Sequence, residues 1–150
     1  MAAMGEPALN QPSIAPLAIP ESIITEMVAH CRDQAPREAC GILAGIGSEV
    51  SRLYLMDNLD HSPVSYAMDP SEQFRVMKDM RVRQVSMLGI FHSHPTTPAF
   101  PSQKDISLAF YDDCRYVIVS LAEEPPAVKA FSISGGLVRE VPLLIVAPGS

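Results

Sequence analysis

Two histidines two positions apart, His92 and His94, close a short apolar run from Met87 to Phe91 and are followed at once by Pro95. On extended chain the side chains alternate with period two, so both imidazoles point to one side and can converge on one point. An open, catalytic zinc site takes three protein ligands and a water, so one more ligand is needed. Asp105 is the evident candidate. Pro95, Pro98 and Pro101 give the chain room to reverse, and Ser102-Gln103-Lys104-Asp105 opens a helix from which Asp105 faces back. A nitrogen, nitrogen, oxygen donor set with one open position suits zinc better than calcium or copper. The chemistry such a site performs is hydrolysis by an acidified water.

Each part of this pattern has a plainer reading. A His-x-His pair alone is more often a surface or packing feature than a site. Ser102-x-x-Asp105 alone is a capping box, an N-cap serine with an acid at N3. Both readings of Asp105 can hold together, with one carboxylate oxygen capping and the other ligating. The joint occurrence favours a metal site: His92, His94, Pro95, Ser102 and Asp105 fall in register within fourteen residues. A Ser-His-Asp triad stays open on spacing, but no Gly-x-Ser-x-Gly elbow occurs. The His-x-Glu and Pro-Cys-x-x-Cys of zinc deaminases are absent. Barrel amidohydrolases, which also use His-x-His, need about 250 residues. His30, near a helix end, and His61, in a polar link, read as solvent-facing or internally satisfied. Cys40 and Cys114 read as small buried hydrophobes. Ser93, on the face opposite the histidines, reads as a packing or supporting residue.

The elements that must position these residues follow from periodicity. Met1 to Pro16, rich in Ala and Pro, reads as a mobile lead-in. A first helix is expected from Pro20 to about Gln34, burying Ile24, Met27, Val28 and Cys31 and ended by Pro36. Ala39–Ala44 and Val50–Met56 read as strands joined at Gly45-Ile46-Gly47-Ser48. A second helix has Asp69 as N-cap, Pro70 in its first turn and Glu72 completing a capping box. Its apolar side is Phe74, Met77, Met80 and Val85, and it ends near Gln84 to Ser86. The strand Met87–Phe91 delivers the histidines, and a third helix runs from Ser102 to about Tyr111. Tyr116–Leu121, Val128–Ile133 and Leu137–Val141 read as further strands, the last two linked at Gly135-Gly136. Strands and helices alternate loosely, which makes the class α/β or α+β around one mixed sheet.

Composition narrows the function. The 150 residues suffice for one domain with a real core and are too few for two, and 47% hydrophobic with 19% charged residues is ordinary for a soluble globule. A net charge of −6 and eleven scattered Lys and Arg argue against nucleic acid as a partner. Three cysteines with no CxxC pair fit a reducing cytosol. No signal peptide is written in the first residues, and no stretch approaches the roughly 20 apolar residues of a membrane helix. The expected location is the cytoplasm, with no membrane partner.

His92-Ser93-His94-Pro95, then Ser102 and Asp105, resembles the signature of the JAMM metalloproteases, also called the MPN-plus family. Glu38-Ala39-Cys40-Gly41-Ile42-Leu43 matches the glutamate that this family carries upstream, at the start of a strand before a Cys-Gly pair. The resemblance runs from about Ile19 to Val141. It implies a curved mixed sheet flanked by helices, related to that of cytidine deaminases. One domain would span residues 19–143, between a lead-in at 1–18 and a tail at 144–150. It also implies the roles: His92, His94 and Asp105 hold one Zn²⁺, Glu38 takes a proton from the water and later gives it to the leaving amine, and Ser102 donates a hydrogen bond to the oxyanion. JAMM enzymes cleave peptide or isopeptide bonds after the tail of ubiquitin-like proteins, often after Gly-Gly, with the tail extended beside a strand. The segment Asn58–Gln73 resembles the compact prokaryotic members, several of which process sulfur carriers by releasing cysteine or trimming an extension. The expected function is therefore a zinc peptidase acting on a ubiquitin-like or sulfur-carrier protein. The alternatives are a deubiquitinase-like isopeptidase of broader specificity and a non-catalytic MPN scaffold; such scaffolds usually lack a ligand, and here all are present. A homodimer is compatible with this reading.

Overall fold

Among the described residues, the central strands bury both faces and set the frame for everything else. The structure, a computed structural model, describes residues 15–148. Its elements are β1 (Leu17–Pro20), α1 (Glu21–Gln34), β2 (Cys40–Ile46), β3 (Glu49–Met56), α2 (Pro70–Arg83), β4 (Ser86–His94), α3 (Gln103–Ser107), β5 (Arg115–Ser120), β6 (Ala127–Ser134), β7 (Leu137–Val141) and β8 (Leu143–Val146). The eight strands form one mixed sheet in the order β7-β6-β5-β4-β2-β3-β1-β8. This is the single-domain mixed sheet with flanking helices that the sequence implies. No described helix is long and apolar enough to cross a membrane.

The two innermost strands explain the site's position. β2 reads Cys-Gly-Ile-Leu-Ala-Gly-Ile and is buried over its first six residues, as a strand covered on both faces requires. It pairs antiparallel with β4 in a register that sets Cys40 opposite His92 and Gly41 opposite Phe91. β4 is longer than the sequence reading, so both histidines lie within it, and its last six residues are buried. It runs parallel to β5, and that geometry needs the crossover carrying α3.

Gly41 is required by close approach. A Cβ there would strike the Phe91 ring and lie 2.5 Å from the Tyr54 carbonyl oxygen. Gly41→Ala is expected to lower stability by about 1–3 kcal/mol, as overpacking does, against the gain of about 0.4–1 kcal/mol that Gly→Ala brings at an open site. The urea midpoint checks the sign.

The helices depart from the sequence reading in instructive ways. α1 buries Ile23, Met27 and Cys31; Ile24 and Val28 pack at the margin of that face, not its centre. Pro20 ends β1 and stands at the N-cap, outside the first turn where it was expected. Asp69 caps α2 as expected, accepting the Ser71 N–H at 3.0 Å. Glu72 completes no box: its Oε1 accepts the Asp57 N–H at 3.0 Å, tying the helix to the chain after β3. Phe74 and Met77 are exposed, and Met80 is the buried residue. The stripe facing the sheet is Val76, Met80 and Val85, packed with Met87. α3 stops at Ser107 instead of Tyr111, because the chain turns away and the Tyr111 N–H goes to the Tyr116 hydroxyl at 3.1 Å.

Two strands fall where flanking segments were expected. β1 begins inside the 1–18 lead-in, and β8 (143–146) runs from the last residue of the expected domain into the 144–150 tail. They pair parallel, Leu17 with Leu143 through Pro20 with Val146, and bury Leu17 and Ile19. The sheet thus extends past residue 19 toward the N-terminus and past residue 143 toward the C-terminus. Residues 1–14 of the lead-in and 149–150 of the tail lie outside the described residues.

Candidate metal centre

The end of β4 and the first turn of α3 bring three donor atoms together. His92 and His94 are almost wholly buried, with their Nε2 atoms 3.2 Å apart. Asp105 Oδ2 lies 3.1 Å from each. Asp105 is aimed by the capping box that the sequence foretold: Ser102 Oγ accepts the Asp105 N–H at 3.1 Å, and Asp105 Oδ2 accepts the Ser102 N–H at 2.9 Å. The expectation that different oxygens would cap and ligate is corrected. One oxygen, Oδ2, accepts the Ser102 N–H and also faces both imidazoles, so the cap fixes the very atom that meets the histidines.

The donor set fits a cation. His94 Nδ1 lies 2.8 Å from the Pro98 carbonyl oxygen, which can only accept, so Nδ1 carries the hydrogen. In the neutral ring Nε2 is then a lone pair, and it faces the carboxylate oxygen of Asp105. Two acceptors at 3.1 Å call for a positive charge between them. Around a tetrahedral zinc with bonds of about 2.0–2.1 Å the ligand atoms stand about 3.3–3.4 Å apart, close to this triangle. Without metal, a proton takes that place. Burial opposes it and is the largest single influence, but the hydrogen bonds to Asp105 and to the Pro98 carbonyl, with the charges of Asp105 and Glu38, together outweigh burial and raise the His94 pKa. Burial raises the Asp105 carboxyl too, yet bonding to His92 and His94 holds it well below the usual carboxylate range. Burial lowers the His92 pKa and keeps that ring neutral, the form a metal needs.

Glu38 stands across from this triangle and is anchored by its backbone. Its N–H donates to the Ser62 carbonyl at 2.8 Å, and its carbonyl accepts Asn58 Nδ2 at 3.0 Å. The next residue, Ala39, donates its N–H to Ser93 Oγ at 2.8 Å and accepts the Ser93 N–H at 3.0 Å. Ser93 is therefore the supporting residue it was expected to be, tying the strand of the histidines to the segment of the acid. The Glu38 side chain is 4% exposed, and its Oε1 has no hydrogen-bond partner. Burial first, and the charge of Asp105 second, push its carboxyl up to about 8. A poised, unpartnered acid beside a metal-type cluster has the pKa of a proton shuttle.

Ser102 Oγ spends one lone pair on the Asp105 N–H, which leaves its O–H free to donate outward. The observed cap and the expected part as oxyanion donor are separable by substitution. Ser102→Ala is expected to cost about 1 kcal/mol in stability through the lost cap and about 10²–10³ in rate through the lost donor. Ser102→Asp keeps a good N-cap and should hold the melting temperature while still losing the rate. Wild-type turnover in S102D would make the cap this residue's whole role.

The remaining sequence candidates lie apart. His61 is exposed, with Nδ1 3.1 Å from Arg37 Nη1, and half-buried His30 sits edge-on to Phe91 with its Nε2 unpartnered. Cys31, Cys40 and Cys114 are free and buried. Sequence reasoning missed three contributors. The Pro98 carbonyl sets the His94 tautomer, and as main chain it leaves no side-chain signal. Tyr66 stacks on the His92 ring at 4.7 Å and 24°. Lys104 and Tyr66, with Met68, Ile90 and Asp105, line a cavity of about 210 Å³ that reaches the donor triangle at Asp105.

Comparisons with known proteins place the chain in a family. The family model described as prokaryotic homologs of the JAB domain matches residues 20–134. The CysO-cysteine peptidase of Mycobacterium tuberculosis is 36% identical over 141 residues, covering 92% of this chain and 97% of that protein. A probable TtuB-protein conjugate cleaving protease of Thermus thermophilus is 32% identical over 131 residues, covering 87% and 83%. Among solved structures, a protein from Desulfitobacterium hafniense superposes with a TM-score of 0.80 at 44% identity, covering 87% of this chain and 92% of that one.

Proposed function

The chain belongs to the prokaryotic homologues of the JAB domain and is a JAMM-type peptidase; from that premise we propose that it uses zinc to hydrolyse the bond after the C-terminal tail of a ubiquitin-like or sulfur-carrier protein, releasing cysteine or a C-terminal extension and leaving Gly-Gly. The observation that carries this reading is the triangle of His92 Nε2, His94 Nε2 and Asp105 Oδ2, with the unpartnered acid of Glu38 beside it.

His92, His94 and Asp105 would hold the ion. When bound, zinc supplies Lewis acidity and brings the pKa of water down to about 7. Glu38 accepts a proton from the attacking water as its oxygen adds to the scissile carbonyl carbon. Ser102 donates its free O–H to the oxyanion that forms. As the carbon–nitrogen bond breaks, Glu38 hands the proton to the departing amine, and the carrier tail keeps the new carboxylate. Glu38 suits both halves because a carboxyl near pH 8 in the metal-free site can hold the proton as well as take it, and an added cation nearby shifts it toward accepting.

The test is cleavage of a ubiquitin-fold sulfur carrier bearing a residue after Gly-Gly, followed by intact mass with zinc-loaded and chelator-treated protein. Loss of the extension with zinc alone supports the reading. The second reading, an isopeptidase of broader specificity, draws on the Thermus relative, whose name is that of a conjugate-cleaving protease. An isopeptide-linked carrier tests it in the same assay. A scaffold role fits poorly with a complete donor set.

A further inference from the structure

The cavity beside the donor triangle has a size and a charge that nothing in the mechanism uses. It opens on Asp105, and Tyr66, which stacks on His92, forms part of its wall. Whatever occupies it therefore lies next to the scissile bond. On the function proposed above, the acyl side of that bond is glycine, which has no side chain to house. The space belongs to the residue that leaves.

Size and chemistry select that residue. The walls are mostly apolar and aromatic: Tyr66, Met68, Ile90, Leu108 and Tyr116. A cavity of about 150 Å³ is enough to take up benzene, and this one measures about 210 Å³. The CH₂–SH of a cysteine would leave most of it wet, whereas a phenylalanine, leucine or methionine side chain would fill it. One wall is cationic. Lys104 is an exposed residue on the cavity lining, and among the described residues it has no carboxylate within ion-pair distance. It lines the cavity together with Asp105, so an anion it holds there lies on the side of the leaving nitrogen. In a single released amino acid the α-carboxylate is two bonds from that nitrogen. In an isopeptide the leaving nitrogen is a lysine ε-amine and carries no such group.

We propose that this cavity is the leaving-residue site, that it takes one large apolar or aromatic C-terminal amino acid, and that Lys104 pairs with its free α-carboxylate. The enzyme is then a carboxypeptidase toward the carrier tail. The inference rests on the carrier reading for which side of the bond the cavity serves. The reaction is unchanged: water supplies OH to the glycine carbonyl and H to the amine, and free phenylalanine or its like departs.

The test uses zinc-loaded full-length protein and carriers ending in Gly-Gly-Phe, Gly-Gly-Phe-amide and Gly-Gly-Cys. The acid should be cleaved with kcat/KM about tenfold above the amide, as one charge-assisted contact in a sheltered site allows, and faster than the cysteine form. Lys104→Met should erase the acid-over-amide preference. Ala67→Phe, which narrows the cavity without touching Lys104, should erase the preference for phenylalanine over cysteine. Calorimetry with free L-phenylalanine and L-phenylalaninamide gives a readout free of turnover: the acid should bind more tightly, and K104M should level the two. Equal handling of acid and amide by the wild type, or faster release of cysteine than phenylalanine, would overturn the proposal. If no carrier is cleaved at all, the carrier reading falls, and the calorimetric difference still decides the cavity's ligand.

Discussion

Glu38→Gln is expected to leave zinc at one ion per chain and to cut turnover by about 10²–10⁴, the range that general acid–base catalysis contributes. The amide keeps the shape and volume of the carboxyl but can neither take the proton of the attacking water nor return it to the amine. Since none of the donor atoms belongs to Glu38, metal content by atomic absorption should stay at the wild-type value while the rate collapses. A mutant retaining full zinc and full turnover would remove Glu38 from the mechanism.

The same variant carries a stability signature in the metal-free protein. The Glu38 carboxyl titrates at about 8 when folded and near 4.5 when exposed, so the folded state binds its proton more tightly. Its contribution is fully present below about pH 4.5 and is lost as the pH rises through about 8. Wild-type stability should therefore decline across that window, and Glu38→Gln, which has nothing to ionise, should decline less. At pH 8 the variant is expected to be more stable by a few kcal/mol, since each tenfold difference in proton affinity is worth about 1.4 kcal/mol. At pH 4 the two should coincide. Denaturant midpoints at the two pH values measure the difference.

Asp105→Ala is expected to be the most damaging change to the metal. It removes one of three donors and leaves the two imidazoles as neutral ligands without charge compensation. Zinc affinity should fall by at least about 10²-fold, with activity lost at ordinary metal concentrations, since even outer partners of ligands cost about 10–100-fold. Competition with a chromogenic chelator reads the affinity directly. Because Asp105 also closes the capping box, the metal-free variant should lose a further ~0.5–2 kcal/mol. Unchanged zinc stoichiometry and affinity would reduce Asp105 to a cap. Asp105→Asn keeps an oxygen that can accept the Ser102 N–H and separates the two losses.

The parts of the site written within one stretch were legible. Strand alternation placed His92 and His94 on one side and Ser93 on the other, and the Ser102-x-x-Asp105 spacing named the box that aims the carboxylate. Glu38 was legible only through resemblance, since what brings it near is the pairing of Cys40 with His92, a register between strands about fifty residues apart. The walls of the cavity were hidden for another reason. Leu108 and Tyr111 read as the continuation of a helix face, and the helix ends before them, because the chain leaves to line a cavity instead of a core. Phe74 and Met77 misled in the opposite sense: helical spacing made them core, but α2 meets the sheet along a stripe only wide enough for Val76, Met80 and Val85. β1 and β8 were missed because each is four residues long, too short to show a period, and they pair with each other across more than a hundred residues of sequence.

The brevity of α3 has a kinetic consequence. Five residues carry both the carboxylate of the metal cluster and the lysine of the cavity wall, with Ser102 at their head. On the proposed mechanism, a leaving residue settled against this turn would brace Asp105 and Ser102 in one act, and part of its affinity would be realised only as the barrier is crossed. Trimming such a substrate should then slow the bound complex as well as loosen it.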